Sequence, residues 1–154
     1  MKLVRSTKTR LVFDLGQREE QMLLRLLMLY PCVPAAHHVL SKAGRLPGAA
    51  ANQQLLDEAL AEQRTQSKQK LQALLADSGR LEHTESGARL SLSPAEAEWF
   101  MQVLNDIRVG SWILLGSPEG RLTELSPDKA PHFLAMERAG YFQTQLLEAL
   151  EGNT

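Results

Sequence analysis

The sequence predicts an α+β domain, predominantly helical, with two short hairpins and about four principal helices. Three observations carry this. The two halves echo one another, capping signals follow directly on short alternating apolar runs, and several long stretches place apolar residues at helical spacing.

The echo lies at an offset of 77 residues, where Phe13 to Leu27 aligns with Leu90 to Leu104. Phe13 meets Leu90, Leu15 meets Leu92, Glu19 meets Glu96, and Leu26-Leu27 meets Val103-Leu104. Each copy reads as a short strand running into a capped amphipathic helix. Ser93-Pro94-Ala95-Glu96 is a capping box with proline at the first helical position, and Gly16-Gln17-Arg18-Glu19 is its weaker relative. Upstream, Val4 falls opposite Leu81 and STKT opposite HTES, with Gly87 suited to the second turn, so each unit is expected to be a hairpin followed by a helix. The strands of both units are expected to share one small sheet, with both helices on a common face.

Residues 31–48 contain three prolines and two glycines and read as a connector, with one short helical turn around Ala36 to Lys42. Residues 49–77 read as one long polar helix, on the order of 40 Å at the usual rise. Its leucines cluster at the ends, and its middle, EQRTQSKQK, offers nothing to bury. It must either break near Thr65 to Ser67 or leave its centre in solvent. The second unit spans residues 80–116, and the terminal helix 126–151. That last helix either starts at Ser126 with Pro127 behind it or restarts at Pro131, and Gly140 inside it predicts a close helix contact.

A chain of 154 residues fits a single domain, 1–154, with a core that needs no disulfide. The lone Cys32 and a start without an apolar leader predict a cytoplasmic location. No apolar run approaches the roughly 20 residues that cross a bilayer, so no membrane association is expected. Net charge is −1, but residues 1–93 hold 13 Lys+Arg against 9 Asp+Glu and residues 94–154 hold 4 against 9. Such asymmetry suits an antiparallel dimer or a charged partner. No phosphate loop, dinucleotide fingerprint, zinc-protease motif or nucleophile elbow occurs, so no cofactor is expected and an enzyme is the less favoured class.

Within the second unit, Asn105, Asp106 and Arg108 interrupt an apolar helix where its polar face ends, Val109, Trp112 and Ile113 then surrounding it with apolar side chains. A carboxylate there needs hydrogen bonds or a cation. The favoured reading is a buried polar clamp in which Asn105 and Asp106 bond loop backbone and Arg108 pairs with a carboxylate. The alternative makes Asp106 a general base and Arg108 an anion clamp in a cleft between the third and last helices. His37 and His38 beside Cys32 lack the convergent ligands zinc requires, so no metal is expected. Lys2, Arg5, Lys8 and Arg10 read as a charged edge rather than a nucleic-acid surface, although binding through that hairpin is the third reading. The run MLLRLLMLYP is too apolar for a surface helix, and with the apolar terminal helix it predicts a homodimer.

TRLVFDLGQREEQMLLRLL, LSPAEAEWFMQVLNDIR and YFQTQLLEALEG together resemble an uncharacterised, mainly actinobacterial family, a domain of unknown function. The matching block is Glu96-Ala97, an aromatic at Trp99 or Phe100, then Leu104, Asn105, Asp106 and Arg108. Residues 31–80 lie mostly outside the resemblance. The family has no assigned activity; its genes often neighbour the adaptor of the Clp protease, which implies at most a proteolysis-linked context. The expectation for function is a self-associating interaction or regulatory module with an unknown protein partner.

Overall fold

The computed structural model describes residues 1–34, 48–119 and 125–152. In chain order the elements are β1 (Lys2–Ser6), β2 (Leu11–Gly16), α1 (Gln17–Leu27), α2 (Ala49–Ala76), β3 (Leu81–Thr84), β4 (Gly87–Leu92), α3 (Pro94–Leu114) and α4 (Ala130–Gly152). The four strands form one antiparallel sheet in the order β1-β2-β4-β3. Both hairpins therefore share a sheet, and the predominantly helical α+β class holds. The turn predicted at Ala36 to Lys42 falls outside the described residues.

The echo at 77 positions is visible in the strand register. β2 and β4 pair Leu11 with Leu92, Phe13 with Leu90 and Leu15 with Ala88. Moving each partner by 77 positions turns the first of these pairs into the last and leaves Phe13–Leu90 unchanged. A local two-fold axis therefore passes through the sheet between Phe13 and Leu90. The hairpins obey it as well, since Arg5↔Val12 and Ser6↔Leu11 become Glu82↔Arg89 and His83↔Ala88 at the same offset. A bulge between Leu3 and Arg5 then breaks the correspondence in β1, the exposed edge strand. A dyad perpendicular to a sheet keeps each face on its own side, so α1 and α3 both cover the same face.

That face is apolar and fully buried: Leu11, Phe13 and Leu15 on β2 against Ala88, Leu90 and Leu92 on β4. The buried helical residues match at the same offset, Leu23 with Phe100, Leu26 with Val103 and Leu27 with Leu104. Across the opposite face, Lys2, Asp14, Arg89 and Glu82 are successive cross-strand partners of alternating sign, with Arg89 Nε 2.9 Å from Asp14 Oδ1. This charged row suits a face turned to water.

Both helix starts follow the capping logic. Ser93 Oγ accepts from the Glu96 amide at 3.1 Å, and Glu96 accepts from the Ser93 amide at 3.4 Å. At Gly16 only the second half survives, the Gly16 amide donating to Glu19 Oε1 at 3.2 Å, because glycine has no side chain to return the bond. Each capping glutamate also meets a cation: Arg80 lies 2.8 Å from Glu96, and the Met1 amine contacts Glu19. Gly87 opens β4 at φ 151°, where a Cβ would fall 2.0 Å from the Leu15 carbonyl oxygen; only glycine lets the central strands close.

The correspondence continues through the second helix of each half at an offset of 75 (Leu60 to Ala135). The inward stripe Leu60, Arg64, Ser67, Leu71, Leu74 on α2 matches Ala135, Ala139, Phe142, Leu146, Ala149 on α4. The chain is thus built twice as strand, strand, helix, helix. The halves differ in how far the first helix runs: Pro31 cannot continue α1, whereas α3 extends to Leu114 and packs along α4.

α2 is continuous from Ala49 to Ala76, without a break at Thr65 to Ser67. Its middle and N-terminal half are largely exposed, and its fully buried residues, Leu71 and Leu74, lie near its C-terminus. α4 begins at Ala130, beside the restart expected at Pro131 and not at Ser126. The Ser126 carbonyl accepts from the Lys129 and Ala130 amides in a preceding turn, and Pro131 occupies the first helical turn, where a missing N–H is harmless. Gly140 does not mark a forced approach, its nearest neighbour being Arg108 Cδ at 4.0 Å from an added Cβ. The tight approach is at Gly110, where a Cβ would lie 2.5 Å from the Cys32 carbonyl carbon. Among the described residues no helix is long and apolar enough to cross a membrane.

Candidate functional site

Successive α-helical residues are turned by 100°, so positions 105, 106 and 108 of α3 cannot face one cleft. Asn105 and Arg108 are exposed and Asp106 is half-buried, which corrects the expectation of a buried clamp. Asn105 points towards α4, its Oδ1 accepting from Gln143 Nε2 at 3.4 Å and from Arg108 Nη2 at 3.3 Å. Arg108 is thus tied to an amide, with no carboxylate partner among the described residues, and it borders a groove with Val109, Trp112 and Met136. Nor is the end of α3 surrounded: Trp112 is 37% and Leu114 48% exposed. Trp112 turns outward and donates its Nε1–H to the Pro118 carbonyl at 3.1 Å.

Asp106 behaves as expected of a backbone-binding carboxylate. Its Oδ1 accepts from the Cys32 amide at 2.6 Å and the Val33 amide at 3.3 Å. From the other side Arg64 on α2 donates to the Val33 carbonyl. The two side chains therefore hold one short segment by its donors and its acceptor together, and Gly110 lets that segment lie directly on α3. Sequence reasoning missed Arg64 because the middle of α2 reads as fully solvated. Its signal was the spacing: it falls on the stripe Leu60, Arg64, Ser67, Leu71.

Arg64 and Asp106 belong to a cleft of ≈ 200 Å³ between α2 and α3, whose walls include Leu60, Gln63, Trp99 and Gln102. Lys70 Nζ sits 4.4 Å from the centroid of the Trp99 ring. Asp106 Oδ1 and the Arg64 guanidinium are both engaged with the chain's own backbone. Cys32 is not an activated nucleophile: burial pushes its thiol upward, partly opposed by the hydrogen bond to Ser111, and the nearby Asp106 charge adds to the rise. His37 and His38 lie outside the described residues. Among the described residues no three His, Cys, Asp or Glu side chains converge as metal ligands.

The internal dyad relates this cleft to a second one. Trp99, Gln102 and Asp106 correspond to Met22, Arg25 and Leu29 at 77 positions; Leu60 and Gln63 correspond to Ala135 and Arg138 at 75. Those residues of α1 and α4 line a groove of ≈ 220 Å³ together with Leu134. Here the latch is absent: leucine replaces Asp106, and Ala139 replaces Arg64. The segment matching Cys32–Val33 is Val109–Gly110, which is locked inside α3. Leu29 is 47%, Leu134 45% and neighbouring Met28 83% exposed. One groove of the pair is thus polar, its Arg64 and Asp106 engaged on the molecule's own backbone, and the other is largely apolar, with Arg25 and Arg138 on its walls. No family model, no curated protein and no solved structure matches the chain.

Proposed function

We propose that this protein is an interaction or regulatory module whose docking surface is the open groove between α1 and α4. The observation that carries this reading is the contrast between the two related grooves: in the polar one Arg64 and Asp106 are engaged with the protein's own segment 32–33, whereas its apolar counterpart has no such latch and exposes Leu29 and Leu134. Clustered exposed apolar side chains on a folded domain mark contact surfaces. The resemblance to the mainly actinobacterial family, with its proteolysis-linked context, is compatible with such a role and stays part of the proposal. Self-association through α1 and α4 would use this same face.

The test is a pair of outward substitutions, Leu29→Glu and Leu134→Glu. Both residues are half-exposed, so the fold should persist by circular dichroism while association, with itself or with another protein, is lost. Association unchanged in both variants would remove the groove from the reading. Light scattering at micromolar concentration separates the two modes, since a mass of one chain excludes the homodimer.

A further inference from the structure

Arg25 and Arg138 stand on the two walls of the open groove. Neither has a carboxylate partner among the described residues. Neither helix supplies one at the positions three or four residues away: Arg25 is flanked there by Gln21, Met22, Met28 and Leu29, and Arg138 by Leu134, Ala135, Tyr141 and Phe142. At the related positions of the polar cleft the residues are glutamines, Gln102 and Gln63. The open groove therefore combines an apolar floor with two guanidinium groups that no carboxylate among the described residues pairs, whereas in its counterpart the related positions are uncharged and the lining Arg64 is accompanied by the carboxylate of Asp106. Guanidinium groups beside a low-dielectric wall attract carboxylates more strongly than the same groups in open water, and bind them through paired N–H donors.

We infer that the groove between α1 and α4 receives an acidic, amphipathic segment of another protein, its apolar side chains seated among Met22, Leu29 and Leu134 and its carboxylates on Arg25 and Arg138. This rests on the docking reading above and adds the chemistry of the partner. An antiparallel second copy would bring Arg25 and Arg138 of both chains to one interface, so four cations would need compensation there. A foreign acidic segment supplies that compensation directly.

The experiment uses the full chain and three fluorescent helical peptides with the same leucine face, flanked by glutamate, glutamine or lysine, followed by anisotropy at two salt concentrations. The glutamate peptide is expected to bind best and to weaken as salt rises. Arg25→Gln and Arg138→Gln, which copy the related cleft, should each weaken it roughly tenfold, and Leu134→Glu should abolish binding. Equal binding of the glutamine and glutamate peptides would overturn the acidic partner and leave the docking groove standing. Binding of no peptide, or displacement of peptide by self-association in light scattering, would overturn the inference and assign the face to a second copy or to nothing.

Discussion

Asp106 accepts two backbone N–H groups for which the described residues offer no second acceptor, so its replacement leaves donors stranded rather than merely removing a contact. Asp106→Ala should destabilise the protein by about 1–3 kcal/mol, and Asp106→Asn, which keeps an acceptor oxygen, by less. The loss should couple to Arg64→Ala in a double-mutant cycle followed by urea denaturation, because both side chains hold the same segment. Gly110→Ala attacks that contact from beneath and should cost ~1–3 kcal/mol by overpacking against Cys32. Burial pushes the pKa of the Cys32 thiol upward. A raised value means the neutral form is favoured in the fold, so its stabilisation is complete below the unfolded thiol's value and lost as pH climbs through the folded one. Iodoacetamide should accordingly react slowly at neutral pH and accelerate only above the ordinary thiol range, and unfolding in urea should restore ordinary reactivity at neutral pH. At this scale the sequence was partly legible. A carboxylate at the border of an apolar helix announces its need for donors, whereas the identity of those donors, 74 positions away, depends on where Pro31 turns the chain.

Among the elements, α1 and α3 were readable because cap, strand and apolar stripe are contiguous in sequence. α2 and α4 were not recognised as a related pair. Their alignment slips by two positions and sets half-buried Arg64 against buried Ala139 and half-buried Ser67 against buried Phe142, pairs that share an inward direction without sharing chemistry. α2 also shows why continuity could not be settled from composition: a helix needs only one anchored stripe, and Leu71 and Leu74 supply it near the C-terminus. Leu71→Ala should therefore cost about 2–5 kcal/mol, whereas Leu55→Ala, at a residue 64% exposed, should stay within roughly 0.5 kcal/mol. Amide exchange should divide α2 in the same way, with fast opening from Ala51 to Leu60 and protection from Leu71 to Leu75.

At the scale of the whole molecule, the sheet holds only because the halves meet at Phe13 and Leu90. Each half alone has a two-stranded hairpin, which is marginal in water even with helices attached. Residues 1–77 expressed alone should yield an aggregating or molten chain, and addition of residues 78–154 should restore a soluble species with cooperative thermal unfolding; a cooperatively unfolding first half would refute this account. The charged row Lys2, Asp14, Arg89 and Glu82 was legible only as scattered ions, since it exists in register and not in sequence. The placement of the dyad also imposes an order on birth. As the chain leaves the ribosome, the inner edge of β2 is complete long before its only lasting neighbour, β4, has been synthesised. For that interval a buried-type strand, LVFDL, stands uncovered. The solubility of the nascent protein then depends on how quickly α1 folds down over it, so mutations that weaken the Glu19 cap should reduce yield more than they reduce the stability of the finished fold.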